Sequence, residues 1–388
     1  DTLWDAVWRP ASGISIGVFL STHIDEEILP LTVCIPWKAS ENAWPERARQ
    51  VWDEIAIFVR LQAQISKTRH YFGPRWLNNM VKNAILVRHP TIFTKTRVPV
   101  CIAASGPSLC NVATLLKESS FPIIAVSSAL SCLQDQHIIP DAVISSDGGY
   151  WALSHLTGLS EQIPMLAPLE ASLPSKVLEH NPLAFLDFGS PLEHSLLGIF
   201  GYKAHRTTAC ATVTGVAAQW ALDISTGYVY SGGLDLAPSQ SFSHCRPHGF
   251  DFLVETGQNR LIPAETLHEE KRLANSQIQV YAQWFTSRPK SFTDRFFRIE
   301  PPSYAQASLP SLSREAFRTQ WDKWPSATLV HSPYHYQTQR KDTVSHFLAS
   351  ASATINDYRE GNSLDPLLSE FIKLVSFSGY LSWLKDPG

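Results

Sequence analysis

The chain has 388 residues, 44% of them apolar and 17% charged, with 32 basic against 35 acidic residues and a net charge of −3. At roughly 150 residues per domain this length predicts about two to three domains, and a chain of this size buries about 75% of its unfolded surface without a disulfide or metal staple. The low charge content disfavours extended disorder, and the balanced charge, with no long run of one sign, disfavours nucleic-acid binding driven by charge alone.

Six cysteines, Cys34, Cys101, Cys110, Cys132, Cys210 and Cys245, are scattered and form no C-x-x-C pair. This pattern predicts free, mostly buried thiols and a cytoplasmic, reducing setting. No apolar run is long enough to span a membrane. The first residue is Asp1 rather than Met, which leaves room for a natural start upstream.

In chain order, Ile14–Leu20 and Leu31–Ile35 are predicted strands, the second bracketed by Pro30 and Pro36. Two helical pieces follow, one from Pro45 to about Gln64 and one from Arg75 to Val87. Pro90 and Pro99 bracket a connector, so residues 1–98 are expected to form an N-terminal flanking region.

The middle of the chain alternates short apolar runs with helical stretches. The runs are Val98–Ala104, Pro122–Val126, Pro140–Ile144, Pro164–Pro168, Ala184–Phe188 and Gly227–Gly232. Helical patterns cover Cys110–Glu118, Ala129–Gln136 and Thr212–Ile224. Continuous apolar strands between helices predict βαβ units, hence a Rossmann-like, mostly parallel α/β sheet with helices on both faces, over residues 99–255. Ligands of such sheets sit at the carboxyl ends of the strands. Those ends carry Ser105–Ser108, Ser127–Ser128 and Ser145–Gly149, all small or polar, and the last strand ends in Gly233–Leu234–Asp235. Residues 256–388 are expected to be mainly helical, with an irregular stretch at 287–312 and amphipathic helices at 342–359 and 364–384.

The loop after the first central strand is the strongest local signal. Gly106 permits close backbone approach, Pro107 fixes φ, and Ser108 can cap the next helix. Amides at such a helix start attract phosphate. The loop lacks both G-K-[ST] and G-x-G-x-x-G, and a plain strand–helix turn is the competing explanation. Asp147 suits a ribose hydroxyl, a sugar hydroxyl or a metal, or else caps its own backbone. Asp141 reads as a turn residue, and Asp235 is a second candidate carboxylate. His244 and His248 have a zinc-like spacing, but Pro247 and Gly249 argue against the helix it needs. A single His acting as a base is the better reading. Lys203 and Arg206 are either phosphate partners or a solvated face.

Taken together, CIAASGPSL, IIAVSSALSCL, IIPDAVISSDGGYW and TVTGVAAQWALDISTGYVYSGGLDLA resemble, in order and spacing, the MptE-like family, with a weaker echo in RWLNNMVKNAIL. That family includes the motility-associated-factor (Maf) flagellin glycosyltransferases and archaeal 6-hydroxymethylpterin diphosphokinases. GPSL is also similar to the nucleotide loop of bacterial sialyltransferases that use CMP-sugars. The resemblance implies a cytoplasmic transferase with a sialyltransferase-like fold and no membrane span. It would move a nonulosonic sugar from a CMP-linked donor to Ser or Thr of a protein acceptor such as flagellin. It implies that Gly106, Pro107, Ser108 and Leu109 line the phosphate, with Ser127, Ser128 and Asp147 around the nucleoside or sugar. Gly233, Asp235 and His244 would close the site, with His244 or Asp235 as base and no metal or other cofactor required. Gly148–Gly149 depart from the expected pattern after Asp147. The rival implied by the same family is ATP- and Mg²⁺-dependent pyrophosphoryl transfer to a pterin, with Asp141, Asp147 and Asp235 on the metal. A third reading is a motility-associated binding protein without catalysis.

Overall fold

The computed structural model describes residues 16–335 and 366–375, except 25–28, 30–31, 211, 238–241, 243, 264–265, 267–276, 303–308 and 325, together with isolated positions at 345, 349 and 353. The chain divides into two compact units, one of Asp1–Leu77 with Asp357–Gly388 and one of Asn78–Asn356.

In the first unit the expected strand at Ile14–Leu20 is a helix, Ile16–His23. Leu20, Ile24 and Phe58 form a small core, with Ile16, Phe19 and Ile55 packed on it. A helical turn brings Ile16, Phe19 and Leu20 onto one face, which a strand would have split between two. The expected strand at Leu31–Ile35 has no regular structure over residues 32–36, and Val33 and Ile35 are exposed. The two predicted helical pieces are one helix, Pro45–Leu86, with Pro74 inside it. A proline disfavours helical geometry in its predecessor through a clash with that residue's Cβ. Here the predecessor is Gly73, which has none, and a Cβ there would lie 2.5 Å from the Leu374 carbonyl oxygen in the helix Pro366–Val375. That helix falls within the predicted 364–384 span. The one predicted at 342–359 lies mostly outside the described residues.

The second unit is the α/β body. Among the described residues, eleven strands form one sheet: β1 (His89–Phe93), β2 (Val100–Ala103), β3 (Ile123–Val126), β4 (Ala142–Ile144), β5 (Met165–Pro168), β6 (Pro182–Asp187), β7 (Ala204–Arg206), β8 (Val229–Gly232), β9 (Phe296–Ile299), β10 (Ser311–Leu312) and β11 (His331–Pro333). The order is β10-β9-β8-β2-β3-β4-β5-β6-β1-β11, with β7 also on β6. Every pairing is parallel except β1 with β11. This is the mostly parallel α/β fold that the apolar runs predict. The central strands β2, β3, β4, β5 and β8 are buried at every residue, as a sheet covered on both faces requires.

From β2 to β6 the chain steps across the sheet in one direction. It then returns through the helix Val213–Ile224 and places β8 on the other side of β2. Chain order therefore reverses between β2 and β8, and such a switch point opens a crevice at the carboxyl ends of its strands.

The structure differs from expectation at both borders of the body. The connector after Pro90 is strand β1, whose His89 and Pro90 pair with Pro182 and Leu183. Pro90 is the second residue of β1, ahead of the Thr91–Phe93 stretch that pairs with β11, and a proline so near a strand's start costs little. Three strands, β9, β10 and β11, come from the stretch expected to be mainly helical. Their Pro- and Ser-rich surroundings obscure them, yet Phe296 and Ile299 are fully buried.

The end of the long helix braces the sheet's carboxyl edge. Asn83 is fully buried, and its side-chain amide donates to the carbonyls of Leu169 (2.7 Å) and Ala171 (2.8 Å). Asn79 donates to Gly148 (3.2 Å) and Glu170 (2.9 Å), and Lys82 to Leu173 (2.7 Å). These bonds give partners to loop carbonyls that no strand reaches. Asn83→Ala strands two buried carbonyls and is expected to cost about 2–4 kcal/mol in urea unfolding. A loss within the error of an exposed-surface substitution would contradict the bracing role.

Candidate functional site at the switch point

The GPSL loop leaves β2 and meets the residues that leave β8. The Gly106 amide donates to the Gly233 carbonyl at 2.8 Å. A Cβ on Gly106 would lie 2.4 Å from that same oxygen and 2.8 Å from Asp235. Gly233 has φ +78°, and its own Cβ would lie 2.4 Å from the Ala104 oxygen. Both glycines are required by closeness of backbone, and Gly233 also by its left-handed conformation.

Asp235 is buried and turned onto the loop. One oxygen accepts from the Ser108 amide at 2.9 Å and the other from the Ser108 hydroxyl. Burial pushes its carboxyl up from the ordinary range, while the Ser108 bonds and the positive charge of Arg298 act the other way. Arg298 is itself buried, on β9 in register with Ser231 of β8. The Leu109 amide donates to the Gly106 carbonyl, so the amides of Gly106, Ser108 and Leu109 all have partners within the chain. Asp235 thus holds the position at the helix start that an anion would otherwise take.

The other predicted residues lie around the same edge. Ser127 and Ser128 form a short 3-10 turn directly after β3. Asp147 follows β4, is exposed, and accepts from the Gly149 amide at 2.7 Å, the local capping that Gly148–Gly149 favour. His244 is exposed and stacks on His248, with ring centroids 4.4 Å apart. His248 in turn meets His155 edge-on at 4.8 Å. The neighbouring Cys245 amide donates to the Ser105 carbonyl at 2.8 Å, which ties this histidine loop to the GPSL loop. Asp141 is elsewhere. It precedes β4 and accepts from the amide of Ile123, the first residue of β3, at 2.8 Å. It stands at the amino edge of the sheet, so the trio of Asp141, Asp147 and Asp235 does not assemble. Arg206, the last residue of β7, pairs with Asp187, the last of β6, at 3.3 Å.

Sequence reasoning passed over His155, Tyr281 and Arg298. His155 is buried, and both His244 and Asp147 act on it electrostatically. Asp147 also acts on Tyr281. An arginine inside the apolar run Phe296–Ile299 was the available signal for Arg298. His155 had none, because its partners lie far away in sequence.

The geometry defines an α/β protein whose switch point gathers glycines, serines and the buried Asp235. The family model described as 6-hydroxymethylpterin diphosphokinase MptE-like matches residues 75–241. The resemblance carried by the four motifs is borne out over that stretch, which includes the bracing asparagines and most of the crevice. A protein of Treponema pallidum (strain Nichols), described as uncharacterized, is 28% identical over 377 residues, covering 96% of this chain and 84% of that protein. The structure of the MAf glycosyltransferase from Magnetospirillum magneticum AMB-1 is similar with a TM-score of 0.46 and 14% identity. That match covers 86% of this chain and 53% of the other, so this chain spans about half the length of that protein. No helix among the described residues is long and apolar enough to cross a membrane.

Burial lowers the His155 pKa to about 4, aided by the nearby His244 and opposed by Asp147. Burial likewise lowers His205 to about 4, and its Nε2 accepts from the Phe93 amide at 3.1 Å. Both folded values lie below the ordinary 6.5, so their stabilisation is present above about pH 6.5 and is lost as pH falls toward 4. Urea unfolding should show His155→Phe losing about 2–3 kcal/mol less than the unaltered protein between pH 7 and pH 4. Equal losses would show that His155 is not held neutral by the fold.

Proposed function

We propose that this protein is a transferase that draws its group from a nucleotide-linked donor. In this reading the group is a nonulosonic, sialic-acid-like sugar on CMP, passed to Ser or Thr of a protein acceptor of the flagellin kind in the cytoplasm. The observation that carries it is the junction of Gly106–Ser108 with Gly233–Asp235 at the switch point, where an α/β sheet of this order takes its ligand. The MptE-like match over residues 75–241 supports nucleotide chemistry in the same region.

Roles follow from how each group is engaged. Asp235 spends both oxygens on Ser108, which makes it a positioning residue for the loop rather than the base. His244 is exposed at the rim and is assigned as the base toward the acceptor hydroxyl. Asp147, also exposed, is assigned to sugar or ribose hydroxyls. The leaving CMP phosphate develops charge in the transition state, which Ser128 and the loop at Gly106–Leu109 would stabilise, the phosphate competing with Asp235 for the Ser108 amide. The reaction needs no metal in this reading.

The family model's description favours a second reading, pyrophosphoryl transfer to a pterin with Mg²⁺. The position of Asp141 at the opposite edge counts against the carboxylate set first considered for it.

A nucleotide panel by calorimetry separates the readings. CMP is expected to bind without metal and ATP weakly. Binding of ATP only with Mg²⁺ would replace the first reading by the second, and no binding of any nucleotide would favour a non-catalytic protein. Gly106→Val forces a side chain against the Gly233 oxygen and is expected to abolish CMP binding. Undiminished binding in that variant would remove the loop from the site.

A further inference from the structure

Three cysteines from distant parts of the sequence converge beside the GPSL loop. Cys110 is the second residue of the helix Leu109–Glu118, and Cys132 lies in the first turn of the helix Leu130–Asp135. Their sulfurs are 3.6 Å apart. Cys245, whose amide holds the Ser105 carbonyl, also acts on the Cys132 thiol electrostatically. The Cys110 sulfur also reaches the Arg246 carbonyl at 3.6 Å. Buried cysteines act mostly as small apolar side chains. Cys110 does not fit that role, because it is exposed to solvent while touching a buried thiol.

We propose that Cys110 and Cys132 are a modification site: a peroxide oxidises them to an intramolecular disulfide that staples the helix after the GPSL loop to the helix after Ser127–Ser128. The sulfurs must close from 3.6 Å to the bonded distance of about 2.0 Å. The step balances in two parts. The Cys110 sulfur attacks one peroxide oxygen, giving a sulfenic acid and one water. The Cys132 sulfur then attacks the Cys110 sulfur, forming the S–S bond and releasing the second water. Two thiols lose two hydrogens and two electrons, and one peroxide is reduced.

The reduced pair is held in the thiol form. The mutual hydrogen bond and burial push the Cys110 thiol up. Cys132 is lowered by its bond from Cys110 but raised more by Cys245 and burial, to about 12. Both therefore stay protonated at neutral pH, so the reaction answers to sustained peroxide rather than to traces. Closing the bond removes the Cys110 contact with the Arg246 carbonyl, and so alters how the histidine loop sits against the GPSL loop. This effect on ligand binding rests on the nucleotide reading above. Formation of the bond does not.

The test uses the full chain carrying Cys34→Ser, because Cys34 is exposed and would pair between molecules. After hydrogen peroxide, non-reducing peptide mass mapping is expected to join the Cys110 and Cys132 peptides, lighter by the two hydrogens lost and separated again by dithiothreitol. Cys110→Ser, at an exposed position, should fold normally by circular dichroism and give no such product. Cys110 carried to sulfinic acid without a joined peptide, or a Cys132–Cys245 link in the intact protein, would overturn the proposal. CMP affinity is expected to fall at least about tenfold on cross-linking and to return on reduction. Unchanged affinity would refute the coupling. A cross-link in a protein that never binds CMP would sink the nucleotide reading and leave the thiol site standing.

Discussion

The closest constraint in the molecule is the contact of two backbones with no side chain between them. Gly106 and Gly233 meet where β2 and β8 end, and a Cβ on either would lie 2.4 Å from another residue's carbonyl oxygen. That approach places the Ser108 amide and hydroxyl on Asp235, and Asp235 near Arg298. Ser105 is left to accept from Cys245, which brings the histidine loop alongside. The crevice, its charge and its thiol neighbours all depend on this contact.

Around it the carboxyl edge of the sheet is held by side chains reaching backbone carbonyls. Asn79, Lys82 and Asn83 brace the loops after β4 and β5. Glu193, buried and pushed up to about 8 by that burial, accepts from the Leu169 and Phe188 amides and joins the ends of β5 and β6. These side chains give partners to backbone groups that no strand pairs. Asp147 and His244 then stand exposed beside this braced edge.

Much of the α/β body was legible in the sequence. Six apolar runs announced strands, and their ends, SGPS, SS, SSD and GGLD, stood out because the faces of a sheet covered on both sides are mostly apolar. The N-terminal segment was harder. Ile14–Leu20 is apolar in a way that suits a strand or a buried helix, and its packing on Ile55 and Phe58 decided for the helix. Strands β9, β10 and β11 were hidden in Pro- and Ser-rich sequence, because a strand of two to four residues carries too little periodicity to read.

At the site, the sequence by itself determined which residues could meet a ligand: glycines without bulk, serines with hydroxyls, and carboxylates and a histidine in loops. Tertiary structure decided where each one stands and what it touches. It turned Asp235 inward onto Ser108 and carried Asp141 to the far edge. It also buried His155 beside His248 and gathered Cys110, Cys132 and Cys245 into one cluster. The physical reason is the strand order. A parallel sheet brings distant segments together at one edge, and the reversal between β2 and β8 follows from the packing of whole helices against strands, which no local pattern records.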